Sequence, residues 1–393
     1  MEWTHEHLEI QRSLKRYIED QINPFVDEWE EAGIFPAHQV FKGLGKLGLL
    51  GLTKPEEYGG AGLDYSYAVA MAETLSHIPC GGIPMAIGVQ TDMCTPALAR
   101  FGSDDLRRDF LAPAIAGDMV GCIGVSEPGA GSDVSSVRTF ARTDGDDYVI
   151  NGEKMWITNG LQADWMCMLA NTSEPGSDGG KHHNKSLILV PLRENGKLLP
   201  GISVNKIRKM GMHSSDTGHL HFDDVRVPRR YLIGEEGKGF MQQMQQFQEE
   251  RMFAAACNSG GLRRLIDQTI EYAQQRQMFG SRLADMQWFQ FKMGELATEV
   301  EALRSMLYRA CELYISGKDV LELATMCKLK SGRTSRLVSD TCLQFWGGMG
   351  FTWENRLSRA YRDGRLGSIG GGADEVMLGI LSKLMGIAKK SRS

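Results

Sequence analysis

The sequence has little net charge, no long apolar run and no basic leader. Its 393 residues have a formal charge of −5, so no positive field is available to attract nucleic acid or an anionic membrane. No apolar stretch approaches the length of a membrane span, and the opening residues MEWTHEH are acidic where targeting peptides are basic. The terminal SRS lacks the final leucine of a peroxisomal signal. We therefore expect a cytoplasmic protein of bacterial type with neither a nucleic-acid partner nor a membrane span.

Cysteine pairs of the C-x-x-C type are also absent. The eight cysteines are scattered along the chain, which argues against a disulfide framework and a cysteine zinc site and is typical of a reduced compartment. The histidine pairs are His182-His183 and His219-x-His221, and neither has an acidic or thiolate partner at ligand spacing in the sequence. We interpret them as surface residues and expect no metal site.

The periodicity of the chain changes twice, as expected for a length that is usually split into domains. The first part is helical and begins with a helix after the N-cap Thr4. Its further helical runs cover residues 36–49, 65–77 and 106–115. The second part is β-rich, and polar loops divide its strands. Its clearest runs lie at residues 166–170, 186–191, 202–204 and 219–227.

From residue 237 the pattern is helical again. Apolar residues spaced by fours and threes predict the seam of a helix bundle at Phe289, Met293, Leu296, Val300, Leu303, Leu307, Ala310 and Tyr314. A coiled coil is the alternative, but helical runs at 321–345 and 374–388 supply partners in the same chain. We therefore predict an α+β fold with an N-terminal α-helical domain (1–120), a middle β-barrel-like domain (121–234) and a C-terminal four-helix bundle (235–393).

A glycine-rich loop follows the apolar run at 121–125. The letters SEPGAGSD at 126–133 contain two glycines that can adopt positive φ and approach a ligand, together with the hydroxyls of Ser126 and Ser132. A dinucleotide fingerprint needs a third glycine and a following helix, but Val134 and a β-rich pattern stand there. The loop alone is compatible with a flat, phosphate-bearing cofactor and equally with an ordinary hairpin turn.

A second segment favours the cofactor. Asn151-Gly152 is a hairpin turn signal, and a strand with the letters KMWITNG follows at 154–160. Residues two apart on a strand share a face. Trp156 and Thr158 are therefore expected to lie together against one side of an aromatic ring, with Thr158 as its hydrogen-bond partner.

The loop and this strand resemble the flavin-binding pair of the acyl-CoA dehydrogenase family, and the resemblance covers essentially the whole chain. Later elements are similar to the family in order, with the letters RKMG at 208–211, FDDVRVP at 222–228, RQMFG at 276–280 and QFWGGMGF at 344–351. The resemblance implies noncovalently bound FAD, oxidation of an acyl-CoA substrate, electron transfer to an electron-transfer flavoprotein, and a homotetramer built as a dimer of dimers.

The resemblance also implies roles for individual residues. The flavin-binding residues are expected to be Ile123, Val125, Ser126, Gly131, Ser132, Trp156, Thr158 and Glu375, with Arg276, Phe279, Gln344 and Gly348 supplied by a neighbouring subunit. The substrate-binding residues are expected to be Arg251, Ser132, Ser215 and Gly370, and Arg251 would contact the CoA moiety.

The commonest base motif of the family, Tyr-Glu-Gly-Thr, is missing, because Gly371 stands at the base position. In the isovaleryl-CoA and long-chain branches the base belongs to a Glu-Arg pair on the first bundle helix, and Glu250-Arg251 is similar to that pair. A structural ion pair at the bundle edge is the alternative. We expect Glu250 to be the catalytic base, with a backbone N–H at or next to Gly371 and a ribityl hydroxyl of FAD as donors to the thioester oxygen.

Helical geometry supports this choice between two adjacent glutamates. An apolar stripe is expected at Phe240, Met244, Phe247, Arg251 and Ala254. Glu250 lies at the edge of this stripe, where desolvation should raise its pKa toward neutrality. Glu249 points away from the stripe, and we interpret it as a solvated carboxylate.

Three functions fit these features: a dehydrogenase, an oxygen-using flavoenzyme such as an acyl-CoA oxidase or a flavin monooxygenase, and a noncatalytic binding protein. The chain length disfavours a typical oxidase, and Glu250-Arg251 disfavours the third reading. Gly370, Gly371 and Gly372 are expected to leave room for a branch beside the reacting carbons. We therefore expect a branched or medium-to-long acyl-CoA, with terpenoid chains such as citronellyl-CoA included.

Overall fold

The computed structural model describes residues 1–173 and 184–387. The pair His182-His183, most of the polar loop around it and the terminal SRS therefore lie outside the described residues. Within the described ranges, no helix is long and apolar enough to cross a membrane.

The first part is helical, as predicted. Its first helix begins after the N-cap Thr4, and Leu14 and Ile18 are fully buried because they repeat with the helical period. The helices are α1 (His5–Gln21), α2 (Val26–Ala32), α3 (Ala37–Lys46), α4 (Tyr65–Leu75), α5 (Gly82–Gly88), α6 (Thr95–Phe101), α7 (Asp104–Leu106) and α8 (Ala112–Ile115). The π-helical turns Val89–Cys94 and Arg107–Leu111 join α5 to α6 and α7 to α8.

The middle part is β-structure, as predicted. Its strands are β1 (Gly121–Gly124), β2 (Phe140–Asp144), β3 (Asp147–Thr158), β4 (Trp165–Asn171), β5 (Lys185–Pro191), β6 (Arg193–Glu194), β7 (Lys197–Leu198), β8 (Ile202–Lys206), β9 (Thr217–Pro228) and β10 (Leu232–Ile233). Eight of them form one mixed sheet in the order β10-β5-β4-β2-β3-β9-β8, with β1 parallel to β4. Every residue of β4 is buried, so both faces of the sheet are covered at this strand.

The hairpin turn of this sheet is not at the predicted place. The turn between β2 and β3 contains Gly145, whose φ is +64°. Asn151 and Gly152 instead lie inside β3, where the register against β9 shifts between Ile150 and Gly152. A Cβ at Gly152 would lie 2.7 Å from Thr139. Bulges and hairpin turns favour the same residue types, which is why the sequence signal was wrong here.

The last part consists of helices α9 (Gly239–Gln275), α10 (Gln287–Ile315), α11 (Leu321–Trp346), α12 (Arg356–Gly364) and α13 (Asp374–Leu384). A short hairpin of β11 (Gln277–Met278) and β12 (Ser281–Arg282) joins α9 to α10. Helices α9, α10 and α11 pack against one another, and α13 packs against α11. The predicted seam of α10 is confirmed, because all its positions from Phe289 to Ala310 are buried and Tyr314 is half-buried. The predicted α+β architecture of three parts is therefore confirmed.

Candidate active site

The glycine-rich loop is held on the sheet by its own glutamate. The Ser126 carbonyl accepts a hydrogen bond from the Met155 N–H at 2.9 Å. The buried Glu127 carboxylate pairs with Lys154 Nζ at 2.8 Å and accepts hydrogen bonds from the N–H and the hydroxyl of Thr139. Burial alone would raise the pKa of Glu127, but Lys154 and these hydrogen bonds outweigh it and lower that pKa. Sequence reasoning missed this ion pair, whose signal is a lysine at an inward position of a strand.

The two glycines of this loop have neither a positive φ nor close neighbours. The prediction that they use positive φ is wrong, because neither Gly129 nor Gly131 is among the described residues with positive φ. A Cβ at either position would meet nothing within 4 Å. Packing within the chain therefore does not require glycine here, whereas a ligand that lies against this loop would.

Trp156 combines an unusual backbone with an exposed ring. Its φ is +66° and its side chain is 58% exposed. The register between β3 and β9 shifts between Lys154 and Ile157, so strand alternation is interrupted and the common face of Trp156 and Thr158 stays a prediction. A left-handed backbone costs a non-glycine residue roughly 1–2 kcal/mol. An exposed indole held at that cost favours a ligand-binding role.

Helix α9 buries a face that sequence periodicity did not identify. The predicted apolar stripe is only half-buried at Phe240, Met244, Phe247 and Ala254. Gln242 and Gln246 are buried instead. Gln246 donates to the Met93 carbonyl and accepts the Ala97 N–H at 2.8 Å. An amide side chain that is satisfied by backbone groups can be buried, so a search for apolar residues chose the wrong face.

The half-buried face of α9 extends between the sheet and the first helices. Phe247 packs in the same apolar cluster as Ile123 and Val125 of the predicted flavin site. One turn after Glu250, Phe253 packs so closely on α5 that a Cβ at Gly88 would overlap its ring. Glu250 therefore lies on α9 between Phe247, which belongs to this cluster, and Phe253, which packs on α5.

Glu250 meets the glycine turn that precedes α13. A Cβ at Gly371 would lie 3.1 Å from Glu250 Oε1. Gly371 has a φ of +63°, which L side chains rarely adopt. Among the described residues, none donates a hydrogen bond to the Glu250 carboxylate, and none accepts one from the Gly371 N–H. The two residues predicted to be catalytic are therefore brought together.

We call the space between Glu250 and the glycine turn at residues 370–372 the cleft, and Lys328 of α11 is a residue of this cleft that sequence reasoning missed. It is buried, and its Nζ donates to the Gly372 carbonyl. Burial lowers the pKa of Lys328, and Asp374 and Glu250 oppose that change. Its spacing of four residues from the buried Ala324 was the available signal, since positions four apart lie on one helix face.

Burial places the pKa of Glu250 in the range that a catalytic base needs at neutral pH. It raises the pKa of Glu250 from its ordinary 4.5 to about 7, although Arg251 and Lys328 oppose the change. A carboxyl group with this pKa is partly ionised at neutral pH, so it can accept and release a proton there. Glu250 is half-buried, as predicted, although the apolar stripe from which its position was predicted is not the buried face of α9.

The neighbouring Glu249 is not solvated, so that prediction is wrong. Its side chain is 6% exposed and forms an ion pair with Arg100. The Tyr314 hydroxyl donates to Glu249 Oε1 at 2.6 Å, and the Tyr65 hydroxyl donates to the Glu249 carbonyl at 2.9 Å. The helical projection separated the two glutamates correctly, but it could not show that α4, α6 and α10 supply partners on the far side.

Arg251 and Ser215 are both buried in this chain. Arg251 Nη1 donates to Thr325 Oγ1 at 3.1 Å, and burial lowers the pKa of Arg251 while Glu250 opposes the change. Ser215 donates its hydroxyl to the Asp216 carbonyl at 3.3 Å. These contacts do not test a role in CoA binding, so the substrate-binding roles stay predictions, and the internal hydrogen bond weakens the case for Ser215.

The remaining predicted cofactor residues are exposed on the single chain: Gly131, Ser132, Arg276, Phe279, Gln344, Gly348 and Glu375. Phe279 is 93% exposed with a φ of +50°. An exposed aromatic ring on a strained backbone fits a residue that completes its contacts in a neighbouring subunit, as the resemblance implies. The roles of these residues stay predictions.

Three family descriptions match the chain. They are "Acyl-CoA dehydrogenase, N-terminal domain" at residues 4–118, "Acyl-CoA dehydrogenase, middle domain" at 122–225 and "Acyl-CoA dehydrogenase, C-terminal domain" at 237–386. The long-chain specific mitochondrial acyl-CoA dehydrogenase of Sus scrofa is 33% identical over 378 residues, which are 96% of this chain and 86% of the relative. The short-chain specific mitochondrial enzyme of Homo sapiens is 34% identical over 372 residues, 94% of this chain and 87% of the relative.

Solved structures share the fold. The acyl-CoA dehydrogenase from Geobacillus kaustophilus has a TM-score of 0.92 and 32% identity over 98% of both chains. A chain in the structure of the electron transferring flavoprotein of Acidaminococcus fermentans has a TM-score of 0.91 and 31% identity over 98% of this chain and 99% of that one.

The protein therefore belongs to the acyl-CoA dehydrogenase family, whose members are FAD-dependent oxidoreductases acting on the CH–CH bond of acyl-CoA. The predicted family, fold, cofactor and enzyme class are confirmed. The open glycine loop and the exposed Trp156 indole fit a flavin. Relatives named for long and for short acyl chains are about equally similar, so similarity alone leaves the chain length open.

Proposed function

We propose that this chain dehydrogenates an acyl-CoA between Cα and Cβ with Glu250 as the base. The observation that carries the proposal is the approach of Glu250 Oε1 to within 3.1 Å of the Cβ position of Gly371. A side chain at position 371 would compete with the Glu250 carboxylate for the same space. The cleft accommodates one carboxylate, and in this chain α9 supplies it.

The proposed reaction uses the two free groups of this cleft. Glu250 takes the proton from Cα, and its pKa of about 7 makes it a stronger base than a free glutamate. Bound FAD would supply the acceptor for the hydride that leaves Cβ, and the product would be the trans-2-enoyl-CoA. The Gly371 N–H has no described acceptor, and we assign it to the thioester oxygen, where negative charge develops as the proton leaves.

The acyl pocket is assigned to α5 and the π-helical turn Val89–Cys94. This segment borders the base, because Phe253 packs on α5 one turn after Glu250. Its polar residues are engaged inside the protein, since Gln90 bonds three backbone groups and Asp92 accepts hydrogen bonds from two hydroxyls. The side chains left to meet a ligand are aliphatic or contain sulfur, which favours an apolar acyl chain.

A branched or medium-to-long acyl chain is our proposal for the substrate, with terpenoid chains included. The space beside the glycine turn 370–372 is smaller than the sequence predicted. Side chains of Leu366, Glu250 and Met377 lie against its three residues. The proposal therefore depends on the approach of the base from α9 and on the apolar segment, and less on empty space.

A relocated base would test this substrate class. The double variant Glu250→Gln/Gly371→Glu moves the carboxylate from α9 to the turn, and it should recover part of the activity that Glu250→Gln alone loses. A ranking by kcat/KM across straight and branched acyl-CoAs should then show that branched chains suffer first. A parent enzyme that prefers short straight chains, or a double variant that handles branched chains unchanged, would overturn the proposed substrate class.

We also propose a homotetramer that passes electrons to an electron-transfer flavoprotein. The last part of the chain exposes large apolar side chains at Phe279, Trp288, Phe291, Met349, Phe351 and Trp353. Aromatic residues and methionine are enriched at subunit interfaces, so this concentration in one part of the chain favours an interface. Light scattering should give four times the chain mass of 43.6 kDa, and a monomer at micromolar concentration would contradict the proposal.

The central experiment is anaerobic bleaching of the flavin by a panel of acyl-CoAs. The purified protein should be yellow, and acyl-CoA should reduce its flavin. Reoxidation by an electron-transfer flavoprotein should be faster than reoxidation by air. Faster reoxidation by air would identify an oxidase or monooxygenase instead. A flavin that no acyl-CoA bleaches would contradict the proposed activity.

A further inference from the structure

Strands β3 and β9 bring together three metal-binding side chains outside the cleft. Glu153 pairs with His221 in the register, and His219 lies two residues along β9 on the same face. His219 Nε2 is 2.7 Å and His221 Nδ1 is 3.7 Å from Glu153 Oε2. These histidines have no acidic partner at ligand spacing in the sequence, because the partner belongs to a strand more than sixty residues earlier.

We propose that Glu153, His219 and His221 bind a divalent transition-metal ion such as Zn²⁺. Their ligand atoms all lie within 4.8 Å of one another. Tetrahedral zinc with bonds of about 2.0–2.1 Å needs ligand atoms about 3.3 Å apart. The separations of 2.7 and 3.7 Å from Glu153 lie on either side of this value, and the two histidine atoms lie within 4.8 Å of each other, so side-chain rotations would have to bring the three atoms to this spacing.

The donor set determines the class of metal. Two imidazole nitrogens and one carboxylate suit Zn²⁺, Co²⁺, Ni²⁺ and Cu²⁺, whereas Mg²⁺ and Ca²⁺ prefer oxygen ligands. Glu153 has no lysine or arginine ion-pair partner in the described part of the chain, so no lysine or arginine there competes with a metal ion for its carboxylate. The adjacent Lys154 turns inward to Glu127.

The site is open enough for an ion to enter. The side chains of His219, His221 and Glu153 are 21%, 41% and 41% exposed. Across the described ranges, no other cluster of His, Cys, Asp and Glu meets this geometry. A bound ion would join β3 to β9 directly before the register shift at Trp156, and it should therefore raise the thermal stability of the sheet. The proposal does not depend on the assignment of Glu250.

The test uses the FAD-loaded full chain without an affinity tag, after EDTA treatment and dialysis. Titration calorimetry with ZnCl₂ should show one ion per chain, and MgCl₂ should give no comparable heat. His219→Asn and His221→Asn should each weaken Zn²⁺ binding by at least about tenfold. Zn²⁺ should raise the Tm of the parent and lose that effect in both variants.

Two controls separate this cluster from other histidines. His38→Asn removes one imidazole that faces one carboxylate, since His38 Nε2 lies 2.9 Å from Asp164 Oδ2. The double variant His182→Asn/His183→Asn removes the other histidine pair of the sequence. Both should bind Zn²⁺ like the parent. Binding that survives His219→Asn and His221→Asn in protein with unchanged flavin absorbance, or that only the His182/His183 variant loses, would overturn the proposal.

Discussion

Glu249 and Glu250 are adjacent on α9, and their surroundings give them opposite properties. Glu249 is held by Arg100 and by the Tyr314 hydroxyl. Glu250 has no hydrogen-bond donor among the described residues, and burial raises its pKa to about 7. A carboxylate with a close cation and a hydroxyl donor holds neighbouring elements together, whereas a desolvated one without donors exchanges a proton near neutral pH. The two residues are of the same type, so the number of their hydrogen-bond and ion-pair partners distinguishes the structural role expected for Glu249 from the catalytic role proposed for Glu250.

The largest expected effect separates the two glutamates by rate. Glu250→Gln keeps the shape of the side chain but cannot accept a proton, so flavin reduction by acyl-CoA should fall by about 10²–10⁴-fold. Binding of the acyl-CoA should be nearly unchanged. Stopped-flow absorbance measures both, with Glu249→Gln as the matched control, which should stay within a few-fold of the parent. A Glu250→Gln rate close to the parent rate would move the search for the base to Asp374 and Glu375.

The next prediction concerns the contribution of the Glu249–Arg100 ion pair to the stability of the fold. Glu249→Gln leaves Arg100 without its counter-charge, so the free energy of unfolding should fall by about 1–3 kcal/mol. Denaturant unfolding of the parent and the variant at pH 7 measures this loss. Arg100→Met in the same background should then cost less than it does in the parent, because the pair is already broken. Full additivity of the two changes would show that the ion pair contributes nothing.

Glu250→Gln should change stability in the opposite direction above pH 7. The pKa of Glu250 is about 7 in the folded chain against an ordinary 4.5, so the folded state holds the proton that the unfolded chain has lost between these values. Stability therefore falls as the pH rises through this window. Removal of the carboxylate should raise the free energy of unfolding at pH 8 by about 1–3 kcal/mol. A loss of stability at pH 8 equal to that of Glu249→Gln would contradict the difference between the two sites.

A smaller effect concerns the pH dependence of flavin reduction. The rate should rise with pH and reach half its maximum near pH 7, because only the ionised form of Glu250 accepts a proton. Lys328 lowers the pKa of Glu250, so Lys328→Met should move the profile to higher pH. Lys330→Met is the control on the same helix, since Lys330 pairs with Glu299. An identical shift in both variants would mean that general charge, and not Lys328, sets the profile.

The smallest expected effect lies at the flavin. Trp156→Ala should weaken FAD retention by about 2–10-fold, as loss of one aromatic contact would. Phe25→Ala is the control, because Phe25 is an exposed aromatic residue (43%) of the N-terminal part that is neither a predicted cofactor residue nor part of the proposed interface. Dialysis followed by flavin absorbance measures retention. Equal FAD affinity in Trp156→Ala and the parent would show that this ring does not contact the cofactor.

Local sequence patterns predicted the structure correctly where it depends on residues that are close together in the sequence. The seam of α10 and the start of α1 after Thr4 followed from periodicity and capping alone. Signals that depend on contacts with other segments failed. Asn151-Gly152 became a bulge because Thr139 packs against it, and the buried face of α9 contains glutamines that find backbone partners on other helices.

The three-part fold, the family and Glu250 as the candidate base could be inferred from the amino-acid sequence, because periodicity and ordered motifs are properties of the chain. Tertiary contacts account for the burial of Glu249, the position of Lys328 in the cleft and the approach of Glu153 to two histidines. Burial and pairing depend on which segments cover a residue. Those segments lie tens to hundreds of positions away, so no local pattern encodes them.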